Sequence, residues 1–410
     1  MGALAVMAGL VVAPGAHADK PRTAKAVAAP APAPAMIEDP CIDGSGATCR
    51  RHALDGFFAG LAATEDGRAT HPIRISYFGD SVSADDKIED RLRRLLGARF
   101  GDGGPGFVHV VPPHPYCTHR AVKRVASGWK VHGVSTGFPA DRLLGFGGGS
   151  AEATGGGVAR FSPVTPVVTR AEVYYLAQPG GGDLAVTVDG APAMSIATRA
   201  QAKKAAFAEV PLEGTLGRLD LRASGRVRLF GVVLEARRGI VVDNLGVVNA
   251  TAKGWAKNRA DHWQGQLARR APDLFVVMIG TNEAGWLAGN ALEEHGQVMR
   301  DLLAPVRAAN PDASCLVVSP LDQVDYEQRG LPPRPALAPM VAAQREAALA
   351  SGCAFWDAHA WMGGAGASRE WRKRGWVVRD FAHPTTAGAH RIADALAAGL
   401  LDGYARYRSR

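Results

Sequence analysis

Residues 73–81 read IRISYFGDS, and this stretch decides the fold. Ile73 to Phe78 has the composition of a buried strand that ends at Gly79. Downstream, over residues 84–98, Ile88, Leu92, Leu95 and Leu96 recur at the spacing of one helical face. Strand, tight Gly-Asp-Ser turn and helix are expected to follow one another directly. That order puts Ser81 at the C-terminal edge of a sheet, near free helix N–H groups. Similar units recur late in the chain. Residues 274–279 (LFVVMI), 315–319 (CLVVS) and 353–356 (CAFW) are continuous apolar runs, as buried parallel strands are. Helical periodicity fills 256–270, 291–308, 337–350 and 385–402. The alternation predicts an α/β fold with a parallel sheet in a three-layer α/β/α sandwich.

The middle of the chain differs. Gly145, Gly147 to Gly149 and Gly155 to Gly157 break regular structure. Short alternating segments follow at 171–176, 184–188, 206–211, 217–222 and 226–235, without helical stretches between them. They predict an all-β, jelly-roll-like module over 151–238, inserted into an α/β domain made of 41–150 and 239–410. No internal repeat is present.

Upstream, residues 3–12 (ALAVMAGLVV) are apolar, and Ala16-His17-Ala18 supplies a small-x-small cleavage pattern. Residues 1–18 therefore read as a signal peptide cleaved before Asp19, although no Lys or Arg precedes the apolar run. An uncleaved N-terminal anchor is the alternative. Residues 19–40 read as a Pro/Ala linker, with order beginning near Cys41. The mature chain is expected outside the cytoplasm, periplasmic or extracellular, with no membrane span.

Lys and Arg number 47 against 39 Asp and Glu, a net charge of +8. The cations are scattered, so no basic stripe suited to nucleic acid forms, and only mild attraction to anionic polymers follows. Of the five cysteines, Cys41 and Cys49 flank a short Gly-containing loop that suits a local disulfide. Cys315 and Cys353 read as inert core thiols, with Cys117 left over. There is no CxxC pair.

Four short blocks carry chemistry. Gly79-Asp80-Ser81 exposes a serine at a strand end. Asp380-Phe381-Ala382-His383 brings a carboxylate and an imidazole together on one turn, so that the Asp holds one ring nitrogen while the other faces a hydroxyl. Gly280-Thr281-Asn282-Glu283 follows the most apolar strand and offers the Asn282 amide as an oxyanion donor. Asp243-Asn244-Leu245-Gly246 ends another apolar strand and offers the Gly246 N–H as a further donor. Each alone has a bland reading: a helix cap, a solvated pair, a turn.

In this order the four blocks resemble the SGNH (GDSL) hydrolase superfamily over residues 73–100 and 240–400, departing only at Glu283, where many members carry Asp. The resemblance implies a flavodoxin-like SGNH fold and a Ser81–His383–Asp380 triad. It also implies an oxyanion hole of Ser81, Gly246 and Asn282, with no cofactor and no metal. FGDGGPGF (100–107), the β-insertion and residues 227–251 resemble more narrowly the peptidoglycan O-acetylesterases, whose SGNH domain carries an inserted carbohydrate-binding-module-like jelly roll. The expected substrate is then an O-acetylated cell-envelope polysaccharide, peptidoglycan foremost. An O-acetyltransferase and a lipase or thioesterase are the alternatives within enzymes, and a carbohydrate-binding protein with a vestigial site stands outside them.

Other features weigh less. His109, His114, Cys117 and His119 lie close together on a Pro-rich loop, but without recognised zinc-ligand spacing. A loop lining the substrate cleft is the expectation there. Trp286 is placed to stack on a sugar or to be buried. The glycines at 145–149 lack the Lys and Ser/Thr of a phosphate loop.

Overall fold

The strand Ile73–Gly79 lies inside a parallel sheet, between Ile240–Gly246 on one side and Leu274–Met278 on the other. Ser314–Val318 and Ala354–Trp356 continue the sheet in parallel. A computed structural model describes residues 31–410 of the chain, and Pro32–Arg410 form one compact unit. The expected signal peptide and most of the expected linker lie outside the described residues. Ile37–Glu38 adds an antiparallel edge strand beside Ala354–Trp356, so order begins before Cys41. The last residues of the expected linker are part of the fold.

The apolar runs are continuous because both faces of this sheet are covered. In Leu274–Met278, Leu274, Val276 and Met278 point into one core. That core is formed with the helices Asp55–Glu65, Lys87–Phe100 and Thr386–Arg408. Phe275 and Val277 point into the other core, with Trp263, Leu267, Leu303 and Val341 from the helices Ala260–Arg270, His295–Ala309 and Leu337–Ala350. Period-2 alternation of side chains feeds both layers from one strand.

The all-β region is a sandwich of two antiparallel sheets, and it begins well before residue 151. Gly106–Val108, Val122–Ser127, Lys130–Gly133 and Gly149–Ala153 are strands of it. Phe107 sits opposite Val233, and Lys130–Gly133 pairs with Gly149–Ala153. A third core fills the space between the two sheets, with Phe161, Val173, Val186, Leu221 and Leu229 among its members. The sandwich does not hang free. Phe107, Tyr174 and Phe230 turn away from that core and join Phe78, Phe146 and Trp263 against the α/β sheet.

A buried charge network crosses the same boundary. Arg270 pairs with Asp243 at 2.7 Å and with Glu235, and Arg74 reaches Glu235 at 3.0 Å. Burial alone would raise the Glu235 carboxyl, but the Arg270 and Arg74 guanidinium groups hold it down to about 2.

Cys41 and Cys49 are disulfide-bonded. So are Cys315 and Cys353, which corrects the expectation of two inert thiols. Each lies at the start of one of two adjacent parallel strands, which brings their Cα atoms to 4.6 Å. Cys117 is free and buried.

Candidate active site

Three of the four blocks lie at the ends of parallel strands, and the hydrogen bond from His383 to Ser81 brings the fourth to them. Gly79 is opposite Gly246 on one neighbouring strand and Met278 on the other, so the residues that follow all three strands converge at one edge. Gly79 must lack a side chain, because a Cβ there would stand 2.0 Å from Ser83 Oγ. Asp80 is buried and ties two of the blocks together. One of its carboxylate oxygens accepts from the Val82 N–H and the other from the Thr281 N–H, each at 3.0 Å.

The turn after Ser81 is longer than expected. Helix begins only at Lys87, with Asp86 ahead of it in the left-handed region at φ 60°. Ser81 is therefore held by its turn, not by the terminus of that helix. Asp86 is kept out of the helix by its partners, the Arg93 guanidinium and the Arg120 N–H.

Asp380 and His383 lie on the turn immediately ahead of the helix Thr386–Arg408. His383 Nδ1 is 2.7 Å from Asp380 Oδ2, and His383 Nε2 is 2.7 Å from Ser81 Oγ. Asp380 Oδ1 accepts from the N–H groups of Ala382 and His383 at 2.9 and 3.0 Å. Partial burial pushes the Asp380 carboxyl up, but the His383 ring and these N–H groups outweigh it and bring it to about 2. The hydrogen bond to Asp380 raises the His383 pKa against the opposing effect of burial. A carboxylate ionised at neutral pH thus holds Nδ1 protonated, which leaves Nε2 to accept the Ser81 proton. The pair is open to solvent, with His383 39% and Asp380 36% exposed at the side chain.

Asn282 follows Thr281, whose N–H is held by Asp80. Its amide donates to the Ala250 carbonyl at 2.8 Å, which leaves its second N–H for another acceptor. The loop that carries it is braced from three sides. Gln323 donates to the Thr281 carbonyl, Gln344 donates to the Ile279 carbonyl, and Asp80 holds the Thr281 N–H. Glu283 is buried and accepts from Ala252 N–H at 2.7 Å. Burial raises its carboxyl to about 7, with Asp80 adding to the rise and the Ala252 N–H opposing it.

Gly246 does not offer the N–H expected of it. That N–H donates to Asn244 Oδ1 at 3.0 Å. Gly246 is a glycine for a steric reason: a Cβ would stand 2.6 Å from the Ala84 nitrogen of the Ser81 turn. Three residues past Gly246 the chain turns at Asn249. It is exposed, it has a left-handed φ of 62°, and it directly precedes the Ala250 carbonyl that Asn282 binds. Asn tolerates that conformation better than most residues.

The His109 to His119 loop is anchored on the Ser81 turn, because Thr118 N–H donates to the Ala84 carbonyl and Arg120 N–H to Asp86. Burial lowers His109 and His119 each to about 3, so both are neutral. Among the described residues, no three or more His, Cys, Asp or Glu side chains cluster as a metal would need. The His114 and Tyr116 rings lie 5.4 Å apart, tilted by 39°, and Tyr116 is exposed. Trp286, just past Asn282, is exposed rather than buried. No helix among the described residues is long and apolar enough to cross a membrane.

The model of the GDSL-like Lipase/Acylhydrolase family matches residues 215–391, less than half of the chain. That span holds Asn282, Asp380 and His383, while Ser81 lies on the far side of the β-sandwich. No curated protein matches the chain by sequence. Among solved structures, a peptidoglycan O-acetylesterase is similar at 24% identity and a TM-score of 0.74, covering 87% of this chain and 97% of its own. A lipase/acylhydrolase from Enterococcus faecalis shares 14% identity over 41% of this chain and 77% of its own, at a TM-score of 0.31. A family two carbohydrate esterase from Clostridium thermocellum shares 11% identity over 63% of this chain and 95% of its own, at 0.26. The last two scores are too low to bear on the argument. The first shows that the fold is shared over 87% of this chain.

Proposed function

We propose, from the premise that this chain is a hydrolase of the GDSL-like lipase/acylhydrolase type with the SGNH fold, that it removes O-acetyl groups from a cell-envelope polysaccharide, peptidoglycan foremost. The observation that carries the chemistry is the unbroken hydrogen-bonded line from Asp380 through His383 to Ser81. Ser81 Oγ attacks the acetyl carbonyl while His383 Nε2 takes the hydroxyl proton. Asp380 keeps the ring oriented and stabilises the imidazolium. The oxyanion that forms accepts from the Ser81 N–H and the free amide hydrogen of Asn282. One such donor is worth about 3–4 kcal/mol in the transition state. His383 returns its proton to the departing sugar hydroxyl, leaving acetyl-Ser81. It then draws a proton from water, which attacks that ester, and returns it to Ser81 Oγ as the C–O bond breaks and acetate leaves.

Three observations support the polymer substrate. The Asp380–His383 pair lies open, so the site does not demand that a substrate be swallowed whole. The exposed Trp286 beside Asn282 offers a ring face to a sugar. The peptidoglycan O-acetylesterase shares both the catalytic fold and the sandwich. The expected export of the chain would place the enzyme at the cell wall.

The test is acetate release from O-acetylated peptidoglycan, beside hydrolysis of acetyl, butyryl and octanoyl esters at matched enzyme concentration. Acetate from the wall and a preference for acetyl are expected. Preference for octanoyl, or no acetate from the wall, would overturn the substrate assignment and leave the serine chemistry standing. Transfer of acetyl to a sugar acceptor in place of water would identify an acetyltransferase.

A further inference from the structure

Tyr116 is the most exposed of the Phe, Trp and Tyr rings among the described residues, at 72%. It stands on the loop between the sandwich strands Gly106–Val108 and Val122–Ser127. Exposure alone says little, since single apolar side chains are common on protein surfaces. The backbone beneath this ring says more.

The ring is presented rigidly. Cys117 N–H donates to the His114 carbonyl at 2.9 Å, closing a four-residue turn with Pro115 and Tyr116 at its tip. Pro115 has its φ fixed by its own ring, and His114 Nδ1 accepts from the Tyr116 N–H at 3.3 Å. Just upstream, Pro113 is wedged against the sandwich: a Cβ at Gly149 would stand 2.8 Å from its Cγ. The tip is thus pinned on both sides and has little freedom left to lose on binding.

The loop is also fastened to the catalytic edge. Thr118 N–H donates to the Ala84 carbonyl at 3.0 Å, and its hydroxyl donates to the Asp85 carbonyl at 2.9 Å. Asn244, whose Oδ1 holds the Gly246 N–H, donates its amide to the Thr118 carbonyl at 3.2 Å. The Cys117 thiol meets the Val248 N–H, two residues before the Ala250 carbonyl that Asn282 binds. Tyr116 therefore rises from the seam between the Ser81 turn and the segment that supports Asn282.

We propose that Tyr116 is a specificity-determining residue whose ring face receives a pyranose ring of the polysaccharide while Ser81 attacks an acetyl group on that chain. The inference rests on the reading of the substrate as a glycan and deepens it. A phenol ring offers a flat apolar face to the C–H bonds of a sugar and a hydroxyl to its polar edge. It has few torsions to freeze, so the contact costs little conformational entropy. A small acetyl ester has no second ring to set there. Through this loop the sandwich takes part in choosing the substrate.

Calorimetry with chitotetraose, an uncharged N-acetylglucosamine oligomer, reads the contact without turnover. Tyr116→Ala should weaken binding about tenfold, and Tyr116→Phe should restore most of it. Equal binding by the parent and Tyr116→Ala, or no binding by the parent, would overturn the proposal. Kinetics give the second reading. The ratio of kcat/KM on O-acetylated chitotetraose to that on phenyl acetate should fall about tenfold in Tyr116→Ala, through KM on the glycan. An equal fall on both esters, at the parental melting temperature, would make Tyr116 a structural support and overturn the proposal. A parent that binds and deacetylates the oligomer yet releases no acetate from O-acetylated peptidoglycan would sink the wall assignment and leave Tyr116 in place.

Discussion

His383 Nε2 and Ser81 Oγ lie 2.7 Å apart although 302 residues separate them in sequence. The two ends of the α/β unit deliver them. Ser81 follows the strand Ile73–Gly79, and His383 precedes the helix Thr386–Arg408, which packs against the helix Lys87–Phe100 just downstream of Ser81. Replacing Ser81 by Ala should abolish ester hydrolysis and leave a cooperative thermal transition, since the hydroxyl has its partner in His383 and none in the core. His383→Ala should be nearly as damaging, because serine and base act as one unit. Most of the activity surviving in purified, folded Ser81→Ala would exclude the serine mechanism.

Asn282→Ala removes the proposed oxyanion donor and the tie to the Ala250 carbonyl. Its kcat is expected to fall about a hundredfold or more with KM little changed, as for an interaction made in the transition state. Steady-state kinetics on a soluble acetyl ester decide this. A change confined to KM would make Asn282 a substrate-binding residue.

The acid limb of the pH profile should report His383. Nε2 must be unprotonated to accept the Ser81 proton, so kcat/KM falls as pH drops through the His383 pKa. The hydrogen bond to Asp380 raises that value, so the midpoint should lie above the ordinary imidazole value of about 6.5. Asp380→Asn should move or abolish this limb and depress the rate. A midpoint well below the ordinary value in the parent would contradict the assignment.

Glu283 predicts a pH-dependent stability. Its folded pKa of about 7 stands above its unfolded 4.5, so the folded state holds a proton that the unfolded state has lost. Stability from this group therefore declines as pH rises from 4.5 to about 7, by about 3 kcal/mol at most. Glu283→Gln keeps the acceptor for the Ala252 N–H and cannot ionise. Its melting temperature should exceed that of the parent at pH 8 and approach it at pH 5. Equal differences at both pH values would show that Glu283 does not titrate in this range.

The catalytic strand ends were legible because each is local. A strand and the residues just after it placed Ser81, and a spacing of three put Asp380 and His383 on one turn. What escaped depended on partners far away in sequence. Gly106–Val108 is only three residues long and starts with glycine, and its partner Phe107↔Val233 pairing was not visible locally, so the sandwich seemed to start at 151. Cys315 and Cys353 were each placed in buried strands, yet their bond follows from those strands being neighbours, which is a tertiary fact. Gly246 was assigned by motif spacing, which cannot tell that Asn244 already occupies its N–H.

The pairing of Phe107 with Val233 also has a kinetic meaning. The neighbouring strands Ile73–Gly79 and Ile240–Gly246 enclose the whole sandwich between them in sequence, a non-local contact of the kind that slows folding. A disordered loop of that length would cost about 3 kcal/mol more to close than a short turn, since each doubling adds about 0.6 kcal/mol. Once the sandwich has formed, its first and last strands lie side by side and the loop is short in effect. Gly101 and Gly103 then bond to Ile240 across the join, stitching the entering and leaving chains together. Folding should therefore be ordered, the sandwich first and its parallel neighbour to Ile73–Gly79 second. A lesion deep in the sandwich would then silence Ser81 by delaying the sheet that positions it.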